Sequence, residues 1–443
     1  MIPRLLPVYL EQDAPSATFV RRLAELRELT KHTAQWLPAV PISRAADIAA
    51  SAVIVPDMSG LAYRLLEDFA RLRLPILIVT TEFGTVAMWD WEIRDFLRRR
   101  GIETVAPTSP QELEDICRAL GAKETLRTAT MLAYQDDLGA GQQPDIFKRF
   151  FWWEDECADR LKQTWGVTVE RRSYRSLWAR ALAIPDERVI ATMNDPDRRL
   201  PIAGLTQDAR LGGYRLYLAL RDELDDSPGV IAAGINCLNE SGTSTTTPCL
   251  AWNLLFEERG LVWGCEADLT SMITKYIVWK SLRAPVMMTN LYPFLMGQAA
   301  LKHERIPYFP DVPQQPENHI LAAHCGFFGI VPRSFATQWT LRPRVLEIVN
   351  ERSNAIDARF PEGDLTIVKI RSTMDSFAVT PALLTTYAQY ENSDCLNGAV
   401  LRVEDGYRYV EGLPSHHAVL AVGDLTRRLE VVGQTLGVSM ERV

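Results

Sequence analysis

The fold is decided by residues 52 to 80, which contain the apolar segments AVIVP (residues 52–56) and PILIVT (residues 75–80). Between them, LAYRLLEDFARL (residues 61–72) has apolar side chains at the spacing of an amphipathic helix. Short strands that are apolar on both faces and alternate with such helices are typical of a parallel sheet covered on both sides. The stretch therefore predicts an α/β fold built on an open parallel sheet.

The same alternation continues along the chain. We expect a helix over residues 87–100, a strand over 103–106 and then a helix opened by Ser109-Pro110, an N-cap residue followed by proline. Residues 136–144 (DDLGAGQQP) are polar and rich in glycine, as connections between folding units are. The first α/β domain is accordingly predicted to span residues 1–140.

A second alternating region, residues 141–335, predicts another α/β domain with a parallel sheet. Its expected strands cover residues 167–170, 230–236 and 261–265, and its expected helices cover residues 144–165, 207–225, 248–258 and 268–282.

The last region, residues 336–443, changes to extended segments rich in β-branched and aromatic side chains. It predicts an antiparallel sheet or a small barrel closed by a terminal helix. The chain as a whole is expected to form tandem open parallel-sheet α/β domains followed by a C-terminal antiparallel, barrel-like region. The extended segments of this last region are residues 365–370, 398–403 and 407–410, and the helix covers residues 425–436.

Composition and charge narrow the function further. Of the 443 residues, 47% are hydrophobic and 23% are charged, the balance of an ordinary folded protein. The net charge of −8 gives no general attraction for a polyanion, so nucleic acid is not an expected partner. The sequence has neither an apolar run of about 18 residues nor a signal peptide, so no membrane association is expected. Seven cysteines without a Cys-x-x-Cys pair favour reduced thiols in the cytoplasm.

Signatures of several common chemistries are missing. There is no dinucleotide-binding fingerprint, no phosphate-binding loop and no Gly-x-Ser-x-Gly nucleophile elbow, which argues against nucleotide-driven and serine-hydrolase activity. An aromatic cluster could stack on a sugar ring, but its helical spacing favours a place in the core or in a subunit interface. The cluster consists of Phe147, Phe150, Phe151, Trp152 and Trp153.

Polar residues follow two of the predicted strands, at the edge where open α/β sheets bind ligands. Asn236 and Glu240 follow one strand, and Glu266 and Asp268 follow the next. Asp268 also has a purely structural interpretation as a helix N-cap. Residues 266 and 268 need not point the same way, so we expect only one of these carboxylates to reach the site.

Three of the six histidines lie in suggestive places: His324, and the adjacent pair His416 and His417. Neighbouring residues on a strand point to opposite faces, so only one of the pair is expected to point inward. Two carboxylates and one imidazole form an oxygen-rich donor set that suits Mn²⁺ or Mg²⁺ better than structural zinc. A buried structural role for His324 remains an equal alternative.

Over residues 230–440 the chain resembles the superfamily of L-fucose isomerase and L-arabinose isomerase. The resemblance rests on an ordered series of short segments. These are Pro248-Cys249, Gly264-Cys265-Glu266-Ala267-Asp268-Leu269, His324-Cys325, Thr366-Ile367-Val368, and Ser415-His416-His417 with the strand that ends in Gly423-Asp424.

The resemblance implies a Mn²⁺ ion held by two carboxylates and one histidine, in which the carboxylates also act as the acid–base pair of aldose–ketose isomerisation. Asp268 corresponds to the second carboxylate and His417 to the histidine. The first carboxylate is Glu240, with Glu266 in reserve. His324, Asn236 and His416 are then expected to bind substrate.

The leading hypothesis is a metal-dependent isomerase that converts a free pentose or deoxyhexose through an enediol. One alternative is a non-catalytic sugar-binding or regulatory protein on the same scaffold. Another keeps the metal but changes the reaction, to epimerisation or to cleavage of a sugar acid. The resemblance also implies a homo-oligomer, with Phe150, Phe151, Trp152 and Trp153 as candidate apolar surface.

Overall fold

The structure is a computed structural model, and it divides into two compact units. Unit 1 comprises residues 1–127, 280–283 and 427–440, and unit 2 comprises residues 128–279, 284–426 and 441–443. The residues that the structure describes are 1–11, 13–79, 83, 88–136, 149–240, 243–244, 246–294, 314–324, 327–343, 353–389 and 397–443.

Unit 1 is built on a parallel sheet, as the AVIVP and PILIVT segments predict. The strand order is β2-β1-β4-β5-β6, and β3 pairs with β1. Ser109 caps the helix that follows β6 by accepting a hydrogen bond from the Glu112 amide at 3.2 Å. The strands are β1 (Arg4–Tyr9), β2 (Gln35–Trp36), β3 (Val40–Pro41), β4 (Ala52–Val55), β5 (Ile76–Ile78) and β6 (Thr104–Val105), and the helices are α1 (Ala17–Leu29), α2 (Leu66–Arg71), α3 (Met88–Arg98) and α4 (Pro110–Leu126).

Unit 2 begins with a second parallel sheet of order β10-β9-β7-β8. Trp252 and Trp263 are fully buried in its core and stack at 6.1 Å. The strands are β7 (Thr130–Tyr134), β8 (Thr168–Arg172), β9 (Val230–Ile235) and β10 (Val262–Cys265). The helices are α5 (Asp155–Trp165), α6 (Tyr174–Ala183), α7 (Asp186–Met193), α8 (Gln207–Asp225), α9 (Cys237–Glu240), α10 (Cys249–Arg259) and α11 (Leu269–Leu282).

An antiparallel barrel of six strands completes unit 2. Its order is β15-β18-β11-β12-β17-β16, and it closes because β15 pairs with both β16 and β18. The predicted barrel-like region is therefore confirmed. Its strands are β11 (Val286–Pro293), β12 (His319–Ala323), β15 (Gly363–Ile370), β16 (Ser376–Ala388), β17 (Gly398–Arg402) and β18 (His417–Val422). Outside the ring, β13 (Gln338–Pro343) and β14 (Asn354–Arg359) form a separate pair, and β19 (Ser439–Arg442) follows β16 in the sheet order.

Among the described residues, the structure differs from expectation at several places. The helix expected over residues 144–165 is α-helical only from Asp155 onward, in α5, and Phe151–Trp153 form a 3₁₀ turn. Residues 407–410 are helical in α12 (Gly406–Gly412), because the Asp405 side chain accepts hydrogen bonds from the amides of residues 407 and 408. The last helix, α13 (Thr426–Leu436), belongs almost wholly to unit 1 and does not close the barrel. The barrel also takes β11 and β12 from before residue 336, where the predicted third domain begins.

None of the helices in the described part of the chain is both long enough and apolar enough to span a membrane.

Candidate metal centre

The turn after β10 is the most constrained piece of backbone near the predicted site. Glu266 and Ala267 both have left-handed backbone angles, with φ of 55° and 51°. The Ala267 amide donates to the Ile235 carbonyl at 3.2 Å, which ties the turn to the end of the neighbouring strand β9. Non-glycine residues in this conformation are strained, and such strain is concentrated at functional sites.

Two strand glycines make room for this turn. A Cβ atom at Gly234 would lie 2.7 Å from the Ala267 Cα, and one at Gly264 would lie 2.7 Å from the Met272 side chain and 3.0 Å from the Asp268 carbonyl oxygen. Any side chain at these positions would push the turn off the sheet. The sequence thereby places Glu266 close against the carboxyl ends of β9 and β10.

Asp268 is fully buried and is the N-cap of α11, as its structural interpretation predicted. Its Oδ1 accepts from the Ser271 amide at 2.9 Å and the Thr270 hydroxyl at 2.6 Å. Its Oδ2 accepts from the Ser271 hydroxyl at 2.7 Å and from Lys369 Nζ at 2.8 Å. The Lys369 charge outweighs the opposing effect of burial and holds the pKa of Asp268 well below its usual range. Asp268 is therefore a permanent carboxylate whose oxygens are already occupied.

His417, the first residue of β18, joins this network from the barrel side. Its Nδ1 lies 2.9 Å from Asp268 Oδ2, and because Asp268 is ionised, Nδ1 is the donor. Its Nε2 then points toward Glu266, with 3.6 Å between Nε2 and Oε1. A metal-binding histidine usually donates the hydrogen of its other ring nitrogen to a carboxylate, which fixes the orientation of the ring.

Three side chains form a group whose geometry suits a metal ion: Glu266, His416 and His417, with one ligand atom from each lying within 4.8 Å of the others. Two ligands about 2.1 Å from one ion lie roughly 3 to 4 Å apart, so the 3.6 Å between His417 Nε2 and Glu266 Oε1 fits that geometry. Both His417 Nε2 and Glu266 Oε2 are buried and have no hydrogen-bond partner in the described part of the chain. Such atoms call for a ligand, and a divalent cation would satisfy them.

Both histidines of the pair face this group, contrary to the expectation that only one points inward. Their ring centroids lie 4.4 Å apart, and His416 is only partly buried. The alternation rule applies within a strand, but β18 begins at His417, so His416 lies just before it. His416 is thus a candidate ligand as well as the substrate-binding residue predicted from the sequence.

An aromatic wall encloses the two imidazoles. Trp152 stacks on the His417 ring at 5.0 Å, and Phe150 stacks on Trp152 at 4.5 Å. Trp153 donates its indole N–H to the Glu266 carbonyl oxygen at 2.6 Å. Trp152 and Trp153 are 4% and 2% exposed, so they offer no apolar surface for oligomerisation. Of the predicted cluster, Phe147 lies outside the described residues.

The negative charge of Glu266 is balanced within the three-ligand group when His417 is protonated. Burial disfavours its charge, but Glu266 and Asp268 outweigh burial and raise the pKa of His417 to about 9. The reciprocal attraction keeps the pKa of Glu266 below its usual value despite burial. Burial and the neighbouring His417 charge lower the pKa of His416 to about 3, so this ring is neutral. A cation would therefore displace one proton, from His417.

Of the remaining predicted residues, Asn236 and Glu240 follow β9, and His324 follows the barrel strand β12. Glu240 ends α9, is buried, and accepts a hydrogen bond from the Asp136 amide through Oε1 at 2.8 Å. Asn236 is fully buried directly after β9. The His324 ring is also buried, and its centroid lies 5.6 Å from that of His417. Among the described residues, the three-ligand group includes neither Glu240 nor Asp268.

One residue of the candidate site, Lys369, was missed from the sequence. Lys369, on β15, is 3% exposed and bonds Asp268 and the Ser271 hydroxyl. A lysine inside the apolar segment 365–370 was the available signal, because a buried lysine requires a partner.

No family model matches this chain, and a search of curated proteins finds no significant relative.

Proposed function

We propose that this protein is a divalent-metal-dependent aldose–ketose isomerase in which Glu266, His416 and His417 hold the cation. The observation that supports this most strongly is the buried pair of unsatisfied atoms, His417 Nε2 and Glu266 Oε2, at the ligand-binding edge of a parallel sheet. The resemblance to the L-fucose and L-arabinose isomerase superfamily supplies the reaction class. The substrate would be a free pentose or deoxyhexose.

The donor set favours some cations over others. Two imidazoles and one carboxylate are richer in nitrogen than the two carboxylates and one imidazole expected from the sequence. Mg²⁺ prefers oxygen ligands, whereas Mn²⁺, Fe²⁺, Co²⁺ and Zn²⁺ accept imidazole. We therefore propose Mn²⁺ or another first-row transition ion in preference to Mg²⁺.

The reaction moves a proton between C2 and C1 of the sugar and another between O1 and O2. A bound cation would polarise the two oxygens and make the C2 proton more acidic. The Glu266 carboxylate, buried and ionised, is the group we assign to take this proton and return it to the neighbouring carbon. Glu240, held through Oε1 by the Asp136 amide, is the second carboxylate of the acid–base pair.

Asp268 takes a different role from the one expected from the sequence. All its acceptor positions are used by Lys369, Ser271, Thr270 and His417, so it is a poor proton acceptor. We assign it to orienting His417 so that Nε2 faces the cation. His324, beside His417, is assigned to bind a substrate hydroxyl.

The aromatic wall would keep water from the reacting carbons, since Trp152 and Phe150 cover one face of the histidines. We retain a cytoplasmic location and a homo-oligomer as parts of the proposal.

The test is isomerisation in D₂O. The protein is stripped with a chelator, reloaded with Mn²⁺ and incubated with a panel of aldoses and ketoses, and the products are followed by NMR. We expect one sugar pair to interconvert with deuterium at C2 of the aldose or C1 of the ketose, and Glu266→Gln to abolish both changes. Interconversion without deuterium would contradict the base role of Glu266. Sugar binding with neither interconversion nor exchange would favour a non-catalytic sugar-binding protein.

A further inference from the structure

The ends of β9 and β10 carry a pair of cysteines whose sulfur atoms touch. Cys237 Sγ lies 3.3 Å from Cys265 Sγ, and both residues are buried. Strands β9 and β10 are parallel, and Ile235 pairs with Cys265, so Cys237 follows its strand end by only two residues. The pair thus joins the two strand ends that carry Asn236 and Glu266.

We propose that Cys237 and Cys265 are a modification site, at which a peroxide oxidises the two thiols to a disulfide. The sulfur atoms need to approach by only about 1.2 Å to reach the usual S–S bond length of about 2.05 Å. Cys237 is 9% exposed and Cys265 is 3% exposed, so the peroxide meets Cys237 first. Cys237 is the first residue of the short helix α9, and Cys265 is the last residue of β10, so the two sulfur atoms can approach each other without breaking the β9–β10 pairing.

The chemistry has two steps. The Cys237 thiolate attacks one peroxide oxygen, the O–O bond breaks, and a sulfenic acid and a first water are formed. The Cys265 sulfur then attacks the sulfur of the sulfenic acid, the S–O bond breaks, and the disulfide forms with release of a second water. The two thiols lose two electrons and two protons in total, and hydrogen peroxide is reduced to two molecules of water. A dithiol reductant reverses the change.

The disulfide would act on the turn that carries Glu266. Cys265 immediately precedes the left-handed residues Glu266 and Ala267, so a displacement of its backbone is passed directly to the Glu266 carboxylate. That turn has little freedom to adjust, because a close contact at Gly234 already fixes it. We therefore expect the oxidised protein to bind Mn²⁺ at least about 10-fold more weakly than the reduced protein, an effect that rests on the proposed function.

The test combines peptide mapping with metal titration. The protein is treated with hydrogen peroxide, digested without reductant and mapped by mass spectrometry. We expect a Cys237–Cys265 linked peptide that lacks two hydrogen atoms and disappears on reduction. The link should persist in Cys157→Ser, which removes another buried thiol, and be lost in Cys237→Ser and in Cys265→Ser.

Mapping that finds both thiols unchanged, or oxidised singly without a link, would overturn the modification site whatever the metal results. A linked protein that binds Mn²⁺ as tightly as the reduced one would overturn the effect on Glu266. Failure of the reduced protein to bind any divalent cation would instead contradict the proposed function, while the peptide map would still decide the disulfide.

Discussion

The Nδ1 atom of His417 lies 2.9 Å from the Oδ2 atom of Asp268, and both side chains are fully buried. Because Asp268 is held ionised by Lys369, this hydrogen bond fixes the imidazole with its Nε2 atom toward Glu266. The N-cap of α11 is therefore also the support of a candidate metal ligand. The Asp268 carboxylate thus contacts both α11, which follows the parallel sheet, and the barrel strands that carry Lys369 and His417.

Replacing Asp268 by Asn should weaken Mn²⁺ binding by about 10- to 100-fold without abolishing it, since the variant loses the orientation of His417 and keeps all three ligands. Isothermal titration calorimetry on the chelator-treated protein measures this change. Glu28→Gln, an exposed carboxylate of unit 1, is the matched control and should leave the affinity unchanged. Complete loss of binding in Asp268→Asn would make Asp268 a ligand.

The buried ion pair between Asp268 and Lys369 should dominate the stability of this region. Lys369→Met leaves the Asp268 charge buried without its main partner, which typically costs about 3–5 kcal/mol of the free energy of unfolding. The double variant Asp268→Asn with Lys369→Met should be less destabilised than the sum of the single variants. Urea unfolding of the three variants gives the coupling energy, and strictly additive losses would show that the two residues are independent.

Metal binding should tighten as the pH rises toward 9. The pKa of His417 lies at about 9 when no cation is bound, so below that value a cation must displace the proton from the imidazole. We expect close to one proton to be released on binding at pH 7, measured by calorimetry in buffers of different ionisation enthalpy. Binding that is independent of pH between 6 and 9, with no proton release, would contradict the assignment of His417.

His417 should also make the metal-free protein less stable at alkaline pH. The pKa of His417 is raised in the folded protein, so its stabilising contribution is complete below about pH 6.5 and is lost as the pH rises to about 9. His417→Gln should remove this loss from the pH profile of the free energy of unfolding. His32→Gln, an exposed histidine, should leave the profile as it is in the wild type.

Lys275 should have the opposite effect on the free energy of unfolding, which it increases as the pH rises. This lysine of α11 donates to the Trp263 carbonyl at 3.0 Å, and burial lowers its pKa to about 7. In the unfolded chain Lys275 keeps its proton up to about pH 10.4. The cost of burying the charged lysine therefore reduces the free energy of unfolding fully below pH 7, and this cost disappears as the pH rises to 10. The stability of Lys275→Met relative to the wild type should therefore fall by roughly 3–5 kcal/mol between pH 6 and pH 10. A constant difference would show that Lys275 is charged throughout.

The sequence was a good guide to the fold because periodicity and capping act locally. The helix expected at residues 207–225 has those bounds in the structure, and Ser109 caps α4 as expected. The strand predicted at residues 407–410 was wrong, because the Asp405 side chain caps a helix there and outweighs the β-propensity of the residues that follow.

The candidate site was harder to predict because its members come together only through tertiary packing. The motif Cys-Glu-x-Asp identified the right turn, but its backbone angles decide that Glu266 faces His417 and that Asp268 turns into the helix N-terminus. Lys369 lies on β15 of the barrel, about a hundred residues after Asp268 in sequence, so a lysine in an apolar strand signals that it has a buried partner but does not identify Asp268 as that partner.

We propose that Glu266, rather than Glu240, holds the cation together with His416 and His417. Equilibrium Mn²⁺ binding to the wild type, Glu266→Gln and Glu240→Gln, measured side by side, tests it most directly. We predict that Glu266→Gln lowers the affinity by more than about 100-fold, whereas Glu240→Gln binds like the wild type and loses only isomerase activity. Binding that survives in Glu266→Gln and is lost in Glu240→Gln would show that Glu240, and not Glu266, holds the cation.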